Sequence, residues 1–131
     1  MMRLYLSGPM RGLPLLNFPQ FHSAAKWLRG QGYEVFNPAE MEDSDEMLNS
    51  LARDPLGVTR GCFARDTQWI CTQADAVALL PGWHNSKGAK AECYLALAIG
   101  EEVYYLYEMP SGEWYLLRAE DLMEPKGVYR G

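Results

Sequence analysis

The sequence predicts an α/β fold, a doubly wound parallel sheet flanked by helices with a hairpin at its C-terminal edge. Three observations carry this expectation. Short apolar runs alternate along the chain with stretches of helical period. The first 36 residues read strand, loop, helix, strand, which is how a parallel sheet begins. Residues 76–100 then give a buried apolar run, a Pro81–Gly82 turn and an Ala/Leu-rich helical pattern in succession.

Each element follows from its residues. Arg3–Ser7, RLYLS, is short, alternating and β-prone, and reads as the first strand. Gly8-Pro9-Met10-Arg11-Gly12 breaks it. Two glycines and an arginine after a first strand suit an anion-binding loop: glycine lets backbone N–H groups approach a phosphate, and arginine pairs with it. A plain turn with a solvated Arg11 is the other reading. No G-K-[ST] follows, so this is not a Walker A loop. Residues 18–29 read as a helix with Phe18, Phe21, Ala25 and Leu28 at helical spacing, ended by Gly30 or Gly32. Residues 33–36, YEVF, form a second strand closed by Asn37-Pro38.

Residues 39–61 begin acidic and contain Pro55 and Gly57. They read either as a solvated charged face or as a flap over the site. Residues 63–72 read as a helix bearing Asp66, which the helix dipole alone would favour in a first turn. Residues 76–80 form the central strand, and Asn85, Ser86 and Gly88 are turn and capping residues before the helix that runs to Gly100. Residues 103–107, VYYLY, and 114–117, WYLL, are two further strands. They pair as an edge hairpin, unless the second crosses elsewhere. A short helical turn over residues 119–123 and a loose tail complete the chain.

A chain of 131 residues fits one domain and buries a sizeable core. A net charge of −5 argues against a binder of nucleic-acid backbone, which is normally basic, and leaves room for a small phosphorylated ligand. Cys62, Cys71 and Cys93 are odd in number and form no C-x-x-C pair, which suits reduced thiols in the cytoplasm. Neither a signal peptide nor a membrane span is read from the apolar runs. His22 and His84 are too few for a metal site, and no cofactor is expected.

The polar candidates gather at strand ends. Tyr5 and Ser7 close the first strand, the Gly8–Gly12 loop follows, and Asn85, Ser86, Gly88 and Glu92 surround the second strand–helix junction. In a parallel sheet such junctions share one edge. A carboxylate there can act as nucleophile or base, a tyrosine hydroxyl can orient it, and a second carboxylate can protonate a leaving group. With an anion loop, the pair Glu92 and Asp66 points to glycosidic-bond chemistry on a phosphorylated sugar.

YLSGPMRG at Tyr5–Gly12, FARDTQWI around Asp66, and ADAVALLPG…NSKGAKAE ending at Glu92 together resemble the nucleoside 2-deoxyribosyltransferase superfamily. The likeness is greatest to small phage and bacterial proteins, and it spans roughly residues 3–103. It implies a flavodoxin-like or Rossmann-like sheet. It also implies that Glu92 attacks C1′ of a (deoxy)ribose, that Tyr5 hydrogen-bonds Glu92, and that Asp66 assists the leaving base. The loop from Gly8 through Met10 and Arg11 to Gly12 resembles that of the superfamily's nucleotide N-hydrolases, and Ser86 to Glu92 fits their S-x-G-x-x-x-E motif. Ser86 stands where transferases tend to carry an Asp, and serine can donate to a phosphate.

The resemblance therefore implies hydrolysis of a (deoxy)nucleoside 5′-monophosphate without cofactor or metal. Ser7, Gly8, Met10, Arg11, Gly12, Asn85, Ser86 and Gly88 would bind the substrate. Lys87 and Lys90 add positive potential or are plain surface charges. The same likeness implies a homodimer or larger oligomer, with no nucleic-acid polymer and no membrane as partner. Base exchange between nucleosides and nucleotide sequestration without catalysis are the competing expectations. Pro9 in place of a loop serine, and the C-terminal WYLL segment, depart from the superfamily pattern.

Overall fold

Numbered along the chain, the five strands lie in the order 2-1-3-4-5, so the chain reverses its direction across the sheet between the first strand and the third, and that position governs everything the fold does for the site. The computed structural model describes residues 1–119. The strands are β1 (Arg3–Ser7), β2 (Glu34–Phe36), β3 (Ala76–Leu79), β4 (Glu102–Glu108) and β5 (Trp114–Arg118). The first four run parallel, with Tyr5 opposite Phe36 on one side and Val77 on the other. β5 is antiparallel to β4, so the expected edge hairpin is present. Order and direction are those of a flavodoxin-like sheet.

Helices cover both faces, as near-continuous apolar runs in β1 and β3 require. Alternation along each strand divides the core in two. Leu4 and Leu6 of β1, with Ala76, Ala78 and Leu80, meet Phe18, Phe21, Ala25 and Leu28 of α1 (Phe18–Gly30). Tyr5, Val77 and Leu79 turn to the opposite face. There they join Ile70 of α4 (Pro55–Thr72) and Cys93 and Ala96 of α5 (Lys87–Ala98). Trp114 of β5 is buried in the first cluster and donates from Nε1 to Ser23 Oγ at 3.1 Å, tying the hairpin to α1.

The stretch 39–61 differs from the expectation. It forms α2 (Pro38–Glu42), α3 (Asp45–Arg53) and the first part of α4. Three caps explain why. Asn37, Ser44 and Asp54 each accept a hydrogen bond from a first-turn N–H of the helix that follows, and Pro38 and Pro55 occupy opening positions where no N–H is needed. Pro55 and Gly57 thus begin a helix. Asp66 consequently sits deep in an 18-residue helix, and its placement as a first-turn residue is overturned. The acidic run also divides. Glu40 pairs with Arg29 at 2.7 Å and Asp43 with His22 at 3.0 Å, whereas Glu42 turns inward. From residue 120 onward, the predicted helical turn and tail lie outside the described residues.

The loop after β1 is held from two sides. Leu15, Leu16 and Asn17 all adopt left-handed backbone angles just before α1, and the Asn17 side-chain amide donates to the Pro9 carbonyl at 2.9 Å. Gly8 packs against β3's continuation, where a Cβ would lie 2.8 Å from Leu80 Cβ. A Gly8→Ala substitution must push Leu80 or the loop aside. It is expected to lower unfolding free energy by about 1–3 kcal/mol in urea denaturation.

Candidate active site

The carboxyl ends of β1 and β3 open a cavity of about 500 Å³, the size of a small-molecule site. Its floor is β1. Tyr5 and Ser7, two residues apart, point to the same face, where α5 brings Glu92 against them. Tyr5 Oη donates to Glu92 Oε2 at 2.9 Å, and Ser7 Oγ donates to Oε1 at 2.6 Å. The carboxyl group is thereby fixed through both oxygens while the residue is 7% exposed.

Burial sets the protonation chemistry. Loss of water pushes the Glu92 pKa to about 7, beyond what the two hydroxyl hydrogen bonds offset, and the charges of Asp66 and Glu42 push the same way. Burial, then the charges of Glu92 and Asp66, hold the Tyr5 phenol well above its usual range, so it remains a donor. Asp66 is raised by burial, against the opposing pull of Arg65. Two carboxyl groups with raised affinity for protons therefore flank the Tyr5 hydroxyl, an arrangement suited to passing a proton while one oxygen acts as nucleophile.

Other walls come from three loops and helices. Gly8, Met10 and Arg11 line the cavity from the loop after β1, and Arg11 Nη1 reaches across to donate to Thr59 Oγ1 of α4 at 2.8 Å. Asn85, Ser86 and Gly88 line it at the start of α5. The Ser86 hydroxyl accepts from the Ala89 N–H at 3.1 Å, which caps the helix and leaves its own proton to donate. The first turn of α5 brings the positive helix end and unpaired N–H groups to this wall. Lys87 lines the cavity; Lys90 does not.

The structure thus gathers every sequence-predicted site residue except Gly12. Gly12 has φ +85°, lies off the cavity wall and has open space where a Cβ would sit, so it serves the turn. Sequence reasoning missed Glu42, Cys62 and Thr59 on the wall, and Arg65 behind it. Arg65 Nε donates to Asp66 Oδ1 at 2.7 Å and Nη2 donates to Glu42 Oε2 at 3.1 Å. The adjacent Arg65-Asp66 pair on one helix was the available signal.

A family model described as "Domain of unknown function (DUF4406)" matches residues 2–105. The chain belongs to this family. The DUF4406 match covers β1 through most of β4 and so contains every wall of the cavity. No curated protein matches the chain. Among the described residues, no group of three or more His, Cys, Asp or Glu side chains could hold a metal ion. No helix among them is long and apolar enough to cross a membrane.

The raised Glu92 pKa carries a stability consequence with a definite sign. Unfolded, Glu92 gives up its proton in the ordinary carboxylate range; folded, it keeps it to about pH 7. Between those values the folded state binds the extra proton, so stability falls as pH rises through the window. Glu92→Gln removes that contribution. Thermal melts from about pH 5 to about pH 8 should show the variant losing less stability than the wild type.

Proposed function

We propose that this protein is an N-glycosidase that hydrolyses a (deoxy)nucleoside 5′-monophosphate. The observation that carries the reading is the Glu92 carboxylate, buried and clamped by the hydroxyls of Tyr5 and Ser7 on the cavity floor, with Asp66 beside it. Ionised Glu92 attacks C1′ of the sugar. The C1′–N bond breaks, its electron pair goes to the base nitrogen, and Asp66 supplies the proton that the departing base needs. Water then attacks C1′, the bond to Glu92 breaks and restores the carboxylate, and the water proton passes to Asp66.

The phosphate end of the substrate is assigned to the loop and to the start of α5. Backbone N–H groups of Gly8, Met10 and Arg11, the Ser86 hydroxyl and the first turn of α5 provide donors, and Arg11 adds its charge by exchanging Thr59 for the ligand. The likeness to the nucleoside 2-deoxyribosyltransferase superfamily supports the same roles. The free thiols of Cys62, Cys71 and Cys93 accord with a cytoplasmic enzyme, and the likeness extends to a homo-oligomer.

Incubation with a panel of nucleoside and deoxynucleoside 5′-monophosphates, followed by chromatography for free base, tests the reading. Wild type releases base and Glu92→Ala does not. Asp66→Asn slows release by roughly 10²- to 10⁴-fold. The rate rises with pH through about 7 as Glu92 ionises. Full turnover by Glu92→Ala rules out the mechanism, and binding without release by the wild type replaces it with sequestration.

A further inference from the structure

The wall built by α2 and α4 bears on which base the cavity takes. Glu42, the last residue of α2, lines the cavity with its side chain 13% exposed. Its Oε2 accepts from Arg65 Nη2, and the same nitrogen lies 2.7 Å from Asp66 Oδ1. The two carboxyl groups are therefore neighbours on a single guanidinium. Arg65 is itself pinned, with Nε also on Asp66 Oδ1 and the guanidinium 5.9 Å from the centre of the Phe36 ring. Glu42 Oε1 makes no hydrogen bond among the described residues. Arg11, the other cation acting on Glu42, is turned to Thr59.

Arg65 thus directs donors at both carboxyl groups; Asp66 also lies against the Tyr5 hydroxyl, and Glu42 keeps Oε1 for a ligand. In the reading above, on which this inference rests, Asp66 holds the proton for the leaving base. In that assignment Asp66 donates, and Glu42, whose Oε2 accepts from Arg65, presents Oε1 as the acceptor. A donor beside an acceptor matches a base edge that shows an acceptor beside a donor. Adenine has that edge at N7 and its 6-amino group, and cytosine at N3 and its 4-amino group. Guanine and hypoxanthine place a carbonyl oxygen where adenine has the amine, and uracil and thymine reverse both positions. A carbonyl there would face the Glu42 carboxylate, acceptor against acceptor. We propose that Glu42 is a specificity-determining residue that selects nucleotides of 6-aminopurines and 4-aminopyrimidines over their keto counterparts.

Calorimetric titration tests this without turnover. The 5′-monophosphates of adenosine, inosine, cytidine and uridine, and their 2′-deoxy forms, are titrated into Glu92→Ala protein with and without Glu42→Gln. Each amino nucleotide should bind roughly tenfold or more tighter than its keto partner. Glu42→Gln should bring the adenosine-to-inosine ratio close to one, because the amide can turn its NH₂ to a carbonyl, and should narrow the cytidine-to-uridine ratio, where Asp66 still opposes the uracil N3–H. An unchanged thermal melt shows that the lost ratio is not lost folding. Equal binding by amino and keto partners, or a ratio unmoved by Glu42→Gln, overturns the assignment of Glu42 even where wild type releases base. Selective binding without release by the wild type upholds it and overturns the glycosidase instead. No binding by any nucleotide overturns both.

Discussion

Two hydroxyl groups on β1 hold a carboxylate that burial would otherwise keep protonated well above neutrality. An unpaired ionised carboxyl group in such surroundings would be strongly disfavoured, and hydrogen bonds to its charged form are what make ionisation accessible near pH 7. The rest of the arrangement depends on that contact. β1 must end where α5 begins, which the β1/β3 crevice ensures. Tyr5 must face α4 and α5 while Leu4 and Leu6 face α1, which strand alternation ensures. The Tyr5 ring is backed by Phe36, 5.5 Å between centres, and by Trp69, so the hydroxyl is aimed by aromatic packing as well as by its acceptor.

Arg65 plays the complementary part on the far wall. Without a cation, three acidic groups around one cavity would repel one another and drive protons onto all of them. With Arg65 beside Asp66 and Glu42, the negative charge on that wall is partly balanced, and Glu92 stays the group set apart by its own hydroxyl partners. The same fold thereby gives carboxyl groups of similar intrinsic acidity different surroundings, the usual route to different roles within one site.

Much of this was legible in the chain. β1, β3 and α5 announce themselves because apolar period and turn residues agree, and Tyr5, Ser7 and Glu92 follow from which strand face and which helix turn they occupy. The stretch 39–61 was hard to read because Pro55 and Gly57 look like breakers in isolation. Only the cap residues Asn37, Ser44 and Asp54 before the helix starts reveal them as parts of helices. Glu42 was hidden inside a charge run whose members go to different partners: Glu40 to Arg29, Asp43 to His22, Glu42 to Arg65. Those pairings are set by tertiary packing between α1, α2 and α4, which no local period encodes.

The hairpin has a bearing on where this module can be cut. The family match stops at residue 105, within β4, yet Leu106 and Trp114 lie beyond it and are each 1% exposed. Ser23 of α1 receives its bond from the Trp114 indole, so the second half of the hairpin seals the same apolar layer that α1 lays over β1. A gene fragment trimmed to the family boundary would encode every residue of the cavity and still lack the last plank of its hull. The minimal transplantable unit is thus longer than the family definition and extends at least through β5.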